Sequence, residues 1–145
     1  MDLTRKVAFV CLHGSAKSLI AAEYFNQFAR ESGCAFAATT SGPEPDPEVP
    51  PNVIEDLLNH AIDIRGYKPT KISAGGLAYA DLIVSFACDA GMRLAPGKPV
   101  ERWDDCPAVG DDFEIAWRFI AGHVEHLITR LESSAATATR MEQGS

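Results

Sequence analysis

Apolar positions along the chain follow two rhythms, and their alternation predicts strands separated by helices. Val7–Val10 is an unbroken apolar run, the pattern of a strand buried on both faces. From Ser18 to Glu31, Leu19, Ile20, Ala22, Phe25 and Phe28 recur close to every 3.6 residues, which predicts a helix. Gly33 is placed to end it. Ala35–Thr40 fits a second strand. The proline-rich stretch from Ser41 to Pro51 cannot hold regular structure and is expected to be a long surface loop. Asn52 then caps an expected helix through about Ala61, with Val53, Ile54, Leu57 and Leu58 inward. A short helix is expected over Ser73–Tyr79, and Leu82–Phe86 is the clearest buried strand. Val100–Arg102 fits one more short strand. Asp111 or Asp112 starts a last helix to about Leu131, with Phe113, Ala116, Ile120, Val124, Leu127 and Ile128 on one stripe. Ser133–Ser145 is small, polar and aperiodic, the composition of a flexible tail.

Strands alternating with helices imply an α/β fold, a three-layer doubly wound sheet of about four parallel strands. One domain over residues 1–132, followed by the tail at 133–145, accounts for the whole pattern. Ligands of such sheets bind beyond the carboxyl ends of the strands, at the switch in strand order. Those ends here lead into Cys11, Ser41, Ala87-Cys88 and Trp103.

Composition narrows the partners. Hydrophobic residues make up 46% and charged residues 23% of the 145, ordinary values for a globular domain. The formal net charge of −7 argues against nucleic acid as a general partner. No apolar run reaches the roughly 20 residues of a membrane helix, so no membrane is expected. The chain enters a strand pattern at once, without the layout of a signal peptide, and a cytoplasmic location is expected. Cysteines stand at 11, 34, 88 and 106 with no C-x-x-C pair, so no metal site is expected and the thiols read as free. Cys34 reads as a small core residue near a helix end.

The most informative segment is Cys11-Leu12-His13-Gly14-Ser15-Ala16-Lys17-Ser18. A strand, a loop of mostly small residues and a helix start follow one another, with a thiol at the first position of the loop. Backbone N–H groups of such a loop, with the positive helix end behind it, suit a tetrahedral anion. The same field favours a thiolate. A nucleophile and an anion cradle in one loop suggest attack on phosphorus or arsenic. A P-loop nucleotide site would need glycines where Cys11 and Ala16 stand, so that reading is weak.

The segment resembles the low-molecular-weight protein tyrosine phosphatases and the arsenate reductases that share their fold, which carry C-x-x-x-x-x-R-[ST] after the first strand. The resemblance runs from about Lys6 to Leu131. Thr40-Ser41-Gly42-Pro43, with Glu48-Val49-Pro50-Pro51-Asn52-Val53, is similar to the arsenate reductase branch. Asp63-Ile64 falls where both branches often have it. Pro96-Gly97-Lys98 and Trp103-Asp104-Asp105-Cys106-Pro107 are similar to the stretch leading into the family's Asp-Pro loop. The resemblance implies the phosphotyrosine protein phosphatase I fold and Cys11 as nucleophile. It implies oxyanion binding by the N–H groups of Leu12, His13, Gly14, Ser15, Ala16 and Lys17, and a hydroxyl donor to the thiolate at Ser18. An aspartate of the later loop would protonate the leaving oxygen.

Two positions depart from the family's pattern. Lys17 stands for the arginine, keeping its charge but losing the planar two-donor fork. Losing one such donor costs about 2.7–4 kcal/mol in a barrier. His13 compensates in part if it points into the cradle, and is otherwise a surface residue. Cys106 precedes Pro107 where the family has aspartate, which leaves Asp105, or Asp104 behind it, as the candidate acid; either also reads as a solvated turn residue. Cys88 resembles the resolving cysteine of thioredoxin-coupled arsenate reductases, but the next thiol of that relay would fall near Met92. Cys88 also reads as a small residue ending a buried strand.

Three functions follow. The first is a phosphatase-family hydrolase whose Cys11 thiolate attacks a phosphomonoester such as phosphotyrosine. The second is a thiol-dependent arsenate reductase using Cys11 with Cys88 or an external thiol, either thioredoxin or a low-molecular-weight thiol. The third is a catalytically weak protein that binds an oxyanion or senses redox state. No cofactor is expected beyond that external reductant, and the partner is a small oxyanion or a phosphorylated substrate.

Overall fold

The computed structural model describes residues 5–143, with side chains described to residue 134. Strand β1 (Arg5–Val10) leads into helix α1 (Lys17–Ser32), strand β2 (Phe36–Ser41) and helix α2 (Pro51–Asn59). A short helix α3 (Ala74–Leu77) precedes strand β3 (Leu82–Ser85), helix α4 (Ala90–Leu94), strand β4 (Val100–Arg102) and helix α5 (Phe113–Gln143). All strand pairs are parallel, in the order β2-β1-β3-β4. The chain is an α/β protein with helices on both sheet faces, as its pattern implies.

Alternation along β1 sorts the core into two layers. Val7, Phe9 and Cys11 face a large cluster with Leu19, Ile20 and Phe25 of α1 and Ile120, Val124 and Leu127 of α5. Ala8 and Val10 face the other side, with Leu77, Ile83 and Cys88. Each fully buried aliphatic or aromatic side chain adds about 1.5–3 kcal/mol to the driving force. The strand order reverses between β1 and β3: the chain leaves β1 for β2 on one side, then crosses to β3 on the other. Their carboxyl ends diverge there and open a cleft.

Several boundaries differ from the sequence expectation. Helix α2 begins at Pro51, and no Asn52 side-chain cap is formed, because proline at the first helical position already supplies the helical φ. Ser73 caps α3, its Oγ accepting from Gly76 N at 3.0 Å. Helix α4 follows β3 without an apolar period to announce it. The largest difference is at the end. Helix α5 runs to Gln143 rather than about Leu131, so most of the expected tail is helical. Ala135, Ala136 and Ala138 favour helix, and no glycine or proline interrupts before Gly144. Residues 144 and 145 lie outside the described part.

Candidate active site

The carboxyl end of β1 delivers Cys11 to the floor of the cleft, nine-tenths buried. Residues 12–16 then turn into α1. Gly14 takes φ +61°, a left-handed conformation that glycine adopts at little cost. Its Cα faces the backbone of Ser41 and Gly42, where a Cβ would come to 3.1 Å. Gly42 is tighter still: a Cβ there would stand 2.4 Å from Cys11 O and 2.7 Å from Gly14 N. The end of β2 therefore clamps the loop backbone to backbone.

The proline-rich segment, expected as a long surface loop, is irregular as expected and also braces the loop after β1. Glu44 N donates to Leu12 O at 2.9 Å and Asp46 N to His13 O at 3.4 Å. Ser15 Oγ, buried, donates to Asp46 Oδ2 at 2.5 Å. His13 Nδ1 lies 2.8 Å from Glu44 O, so that nitrogen carries the proton and donates. His13 thus turns its δ side to the proline segment while its ring still lines the cleft. Among the described residues, no carbonyl accepts from the N–H groups of residues 12–17. Those donors are left for a ligand, at the positive end of α1.

Cys11 Sγ stands 2.9 Å from Ser18 Oγ. Thr40 Oγ1 donates to that same Ser18 oxygen at 2.7 Å. With one acceptor site of Ser18 so occupied, its own proton is available to Sγ, the polarity a thiolate would need. Thr40 carries no chemical signature in the sequence beyond its place at the end of β2. The Tyr67 hydroxyl is held above its ordinary range chiefly by burial, with a hydrogen bond to Thr70 pulling it down and Glu23 and Cys11 adding smaller pushes up.

The cleft, ≈ 340 Å³, is lined by Cys11, Leu12, His13, Ser15, Ala16 and Lys17 from the loop. Its opposite wall is Phe86 and Ala87 after β3, with Ala108, Val109 and Gly110 before α5. Lys17 extends along the cleft edge, and its Nζ donates to Cys106 O at 3.0 Å. Its charge is in the site, but it also pins the loop that follows β4. Cys106 is buried. Its thiol is pushed up to about 11 by burial, with Lys17 pulling it down and Cys11 adding a smaller push up.

The two candidate acids sit elsewhere. Asp104 accepts from Arg102 Nε at 2.7 Å and from Ala87 N at 2.8 Å, which ties the ends of β3 and β4 together and holds its carboxyl below the usual range. Asp105 is exposed and does not line the cleft. Cys88 packs in the cluster on the far face of the sheet, and its carbonyl accepts from Ser85 Oγ. Cys34 sits partly buried against the main core after α1, with its thiol raised by burial. Asp112 caps α5, accepting from Ile115 N at 3.2 Å. Among the described residues no cluster of three His, Cys, Asp or Glu is arranged to hold a metal, and no helix is long and apolar enough to cross a membrane.

A profile of the family described as low molecular weight phosphotyrosine protein phosphatase matches residues 6–102. No curated protein matches the chain significantly. Solved structures do. A thioredoxin-dependent arsenate reductase of Corynebacterium glutamicum is 22% identical at TM-score 0.77, over 90% of this chain and 63% of that one. The chain thus spans less than two thirds of that protein's length. An arsenate reductase from Archaeoglobus fulgidus is 28% identical at TM-score 0.65, over 86% and 97% of the two chains. A low molecular weight protein tyrosine phosphatase from T. tengcongensis is 18% identical at TM-score 0.77, over 87% and 99%.

Proposed function

The chain belongs to the low molecular weight phosphotyrosine protein phosphatase family, whose members are cysteine-dependent phosphatases or arsenate reductases, and we propose that it works on the reductive side, as a thiol-dependent arsenate reductase with Cys11 as nucleophile. One observation carries this reading. The Asp104 carboxylate is committed to Arg102 and to Ala87 N, Asp105 is exposed and does not line the cleft, and a buried thiol, Cys106, occupies the position before Pro107. A phosphomonoester needs a proton delivered to its leaving oxygen, a contribution typically worth 10²–10⁴-fold. Arsenate exchanges its oxygens readily and loses hydroxide that solvent protonates, so it needs that acid far less. The identity of 28% with the Archaeoglobus fulgidus arsenate reductase, against 18% with the T. tengcongensis phosphatase, supports the same side.

In this reading arsenate sits on the N–H groups of residues 12–17 with Lys17 beside it. Cys11, with Ser18 donating to its sulfur, attacks arsenic. Slow phosphomonoester hydrolysis is the second reading, supported by the same thiol–hydroxyl pair and by the apolar wall of Phe86, Ala87 and Val109. Steady-state arsenite production with a dithiol reductant should be robust, p-nitrophenyl phosphate hydrolysis weak, and both lost in Cys11→Ser. Absence of arsenite with any dithiol, while phosphate still protects Cys11 from alkylation, overturns the reductive reading.

A further inference from the structure

We propose that Cys106 is the resolving thiol of this site, closing a disulfide with Cys11 as the reduced oxyanion leaves. The inference rests on the reductive reading above and names its second sulfur. Its basis is how the fold distributes the four thiols. Cys11 and Cys106 belong to the same core cluster, on the sheet face covered by α1 and α5. Cys88 belongs to the cluster behind the sheet, and Cys34 lies before β2, at the amino end of the sheet. A parallel strand of six residues spans roughly 20 Å, so Cys34 is a strand length from the cleft. Lys17 ties the backbone of Cys106 to the edge of the anion loop through the 3.0 Å contact from Nζ to its carbonyl. Lys17 and, more weakly, Cys11 both act electrostatically on the Cys106 thiol.

Few bonds hold the Cys106 side chain itself. It lies in a turn segment between β4 and α5, its Sγ donates only weakly to Pro107 O at 3.5 Å, and its N–H reaches Trp103 O at 3.5 Å. A disulfide needs Cα atoms about 4.4–6.8 Å apart, and Cys106 approaches from a segment outside any strand or helix.

The chemistry balances with the two thiols and one external dithiol. Cys11 thiolate forms a bond to arsenic, and hydroxide leaves and is protonated to water. Cys106 then gives up its proton to solvent, and its sulfur attacks Cys11 Sγ. The S–S bond forms and the S–As bond breaks with its electron pair left on arsenic. Arsenic falls from the +5 to the +3 state and departs as arsenite, while two thiols become one disulfide. The external dithiol returns both cysteines to thiols by exchange. Burial favours the protonated form of Cys106 in the resting site, and Lys17 opposes it. Once Cys11 is bonded to arsenic, Lys17 favours the second thiolate.

The test is a single turnover. Fully reduced protein is mixed with excess arsenate and no reductant, quenched with an alkylating agent and mapped by mass spectrometry. Wild type should yield close to one arsenite per chain and a Cys11–Cys106 disulfide. Cys88→Ser should behave the same, whereas Cys106→Ser and Cys106→Ala should give less than a tenth of that arsenite while phosphate still protects Cys11 from iodoacetamide. A Cys11–Cys88 disulfide, or undiminished single-turnover arsenite from the Cys106 variants, overturns the proposal and leaves the reductive reading standing. Wild-type protein treated with hydrogen peroxide gives a check that needs neither arsenate nor a variant. A mapped Cys11–Cys106 disulfide supports the proposal, and progression of Cys11 to sulfinic acid without any disulfide overturns it. No arsenite from wild type with an external dithiol counts against the reductive reading instead.

Discussion

Two hydroxyls and one thiol set the chemistry at the scale of single residues. Thr40 donates to Ser18, and this leaves the Ser18 proton for Cys11. Deleting the first member of that relay removes no contact to substrate, yet it frees Ser18 to rotate away from the thiolate. Thr40→Val should therefore lower kcat/KM about 2–10-fold, the effect of one hydrogen bond of about 0.5–1.5 kcal/mol. Steady-state rates with either arsenate or p-nitrophenyl phosphate check this, and an unchanged rate would show that Ser18 needs no positioning. Cys11, Gly14, Ser15, Lys17 and Ser18 were legible in the sequence because they are neighbours in one loop whose spacing is itself the signal. Thr40 and Cys106 were not legible as partners of that loop, since 22 and 89 residues separate each from the group it meets. Asp105 was a candidate as the aspartate one position behind Cys106-Pro107; it is exposed, whereas Cys106 is buried.

At the scale of elements, the site depends on how closely β2 can approach the loop after β1. Strand β2 is an edge strand, and Asn26 of α1 satisfies its outer side, accepting from Ala38 N at 2.8 Å and donating to Ala38 O at 3.1 Å. Its end then brings Gly42 against Cys11 O, with no room for a methyl group. Gly42→Ala should cost about 1–3 kcal/mol of stability, in the range of overpacking, because the obstructing atoms are backbone. It should also weaken phosphate protection of Cys11 more than the stability loss alone explains. Thermal melts and alkylation kinetics in phosphate measure the two effects; a variant with native stability and native protection would refute the clamp. The elements themselves followed from periodicity, and their errors were local. Helix α4 has five residues, too few for a period to show. Helix α5 continued through a polar alanine-rich stretch because helix propensity does not require an apolar stripe.

For the whole molecule, burial makes the fold sensitive to alkali. The Cys106 thiol is raised to about 11 by burial, then by Cys11, and Tyr24 to about 12 by burial, then by its hydrogen bond to Glu125 on α5. In the unfolded chain these groups ionise near their ordinary values of 9.0 and 10.0. The folded state binds their protons longer, so their contribution is fully present below pH 9 and is lost as pH rises through 9 to 12. The melting temperature should fall across that window. Cys106→Ser should flatten the part between 9 and 11, and Tyr24→Phe the part between 10 and 12; parallel curves for all three proteins would contradict the assignment. The sequence by itself determined the α/β alternation, the parallel sheet and the loop in which a thiol meets an anion cradle. Each of these is written in residues close together in the chain, through hydrophobic period or motif spacing. Only the tertiary structure decided that the proline-rich segment braces the loop after β1, that Asp104 is tied to Arg102 and Ala87, and that Cys106 rather than Cys88 shares a core with Cys11. Those outcomes depend on which face of the sheet each distant loop returns to, and that is set by the packing of the whole core.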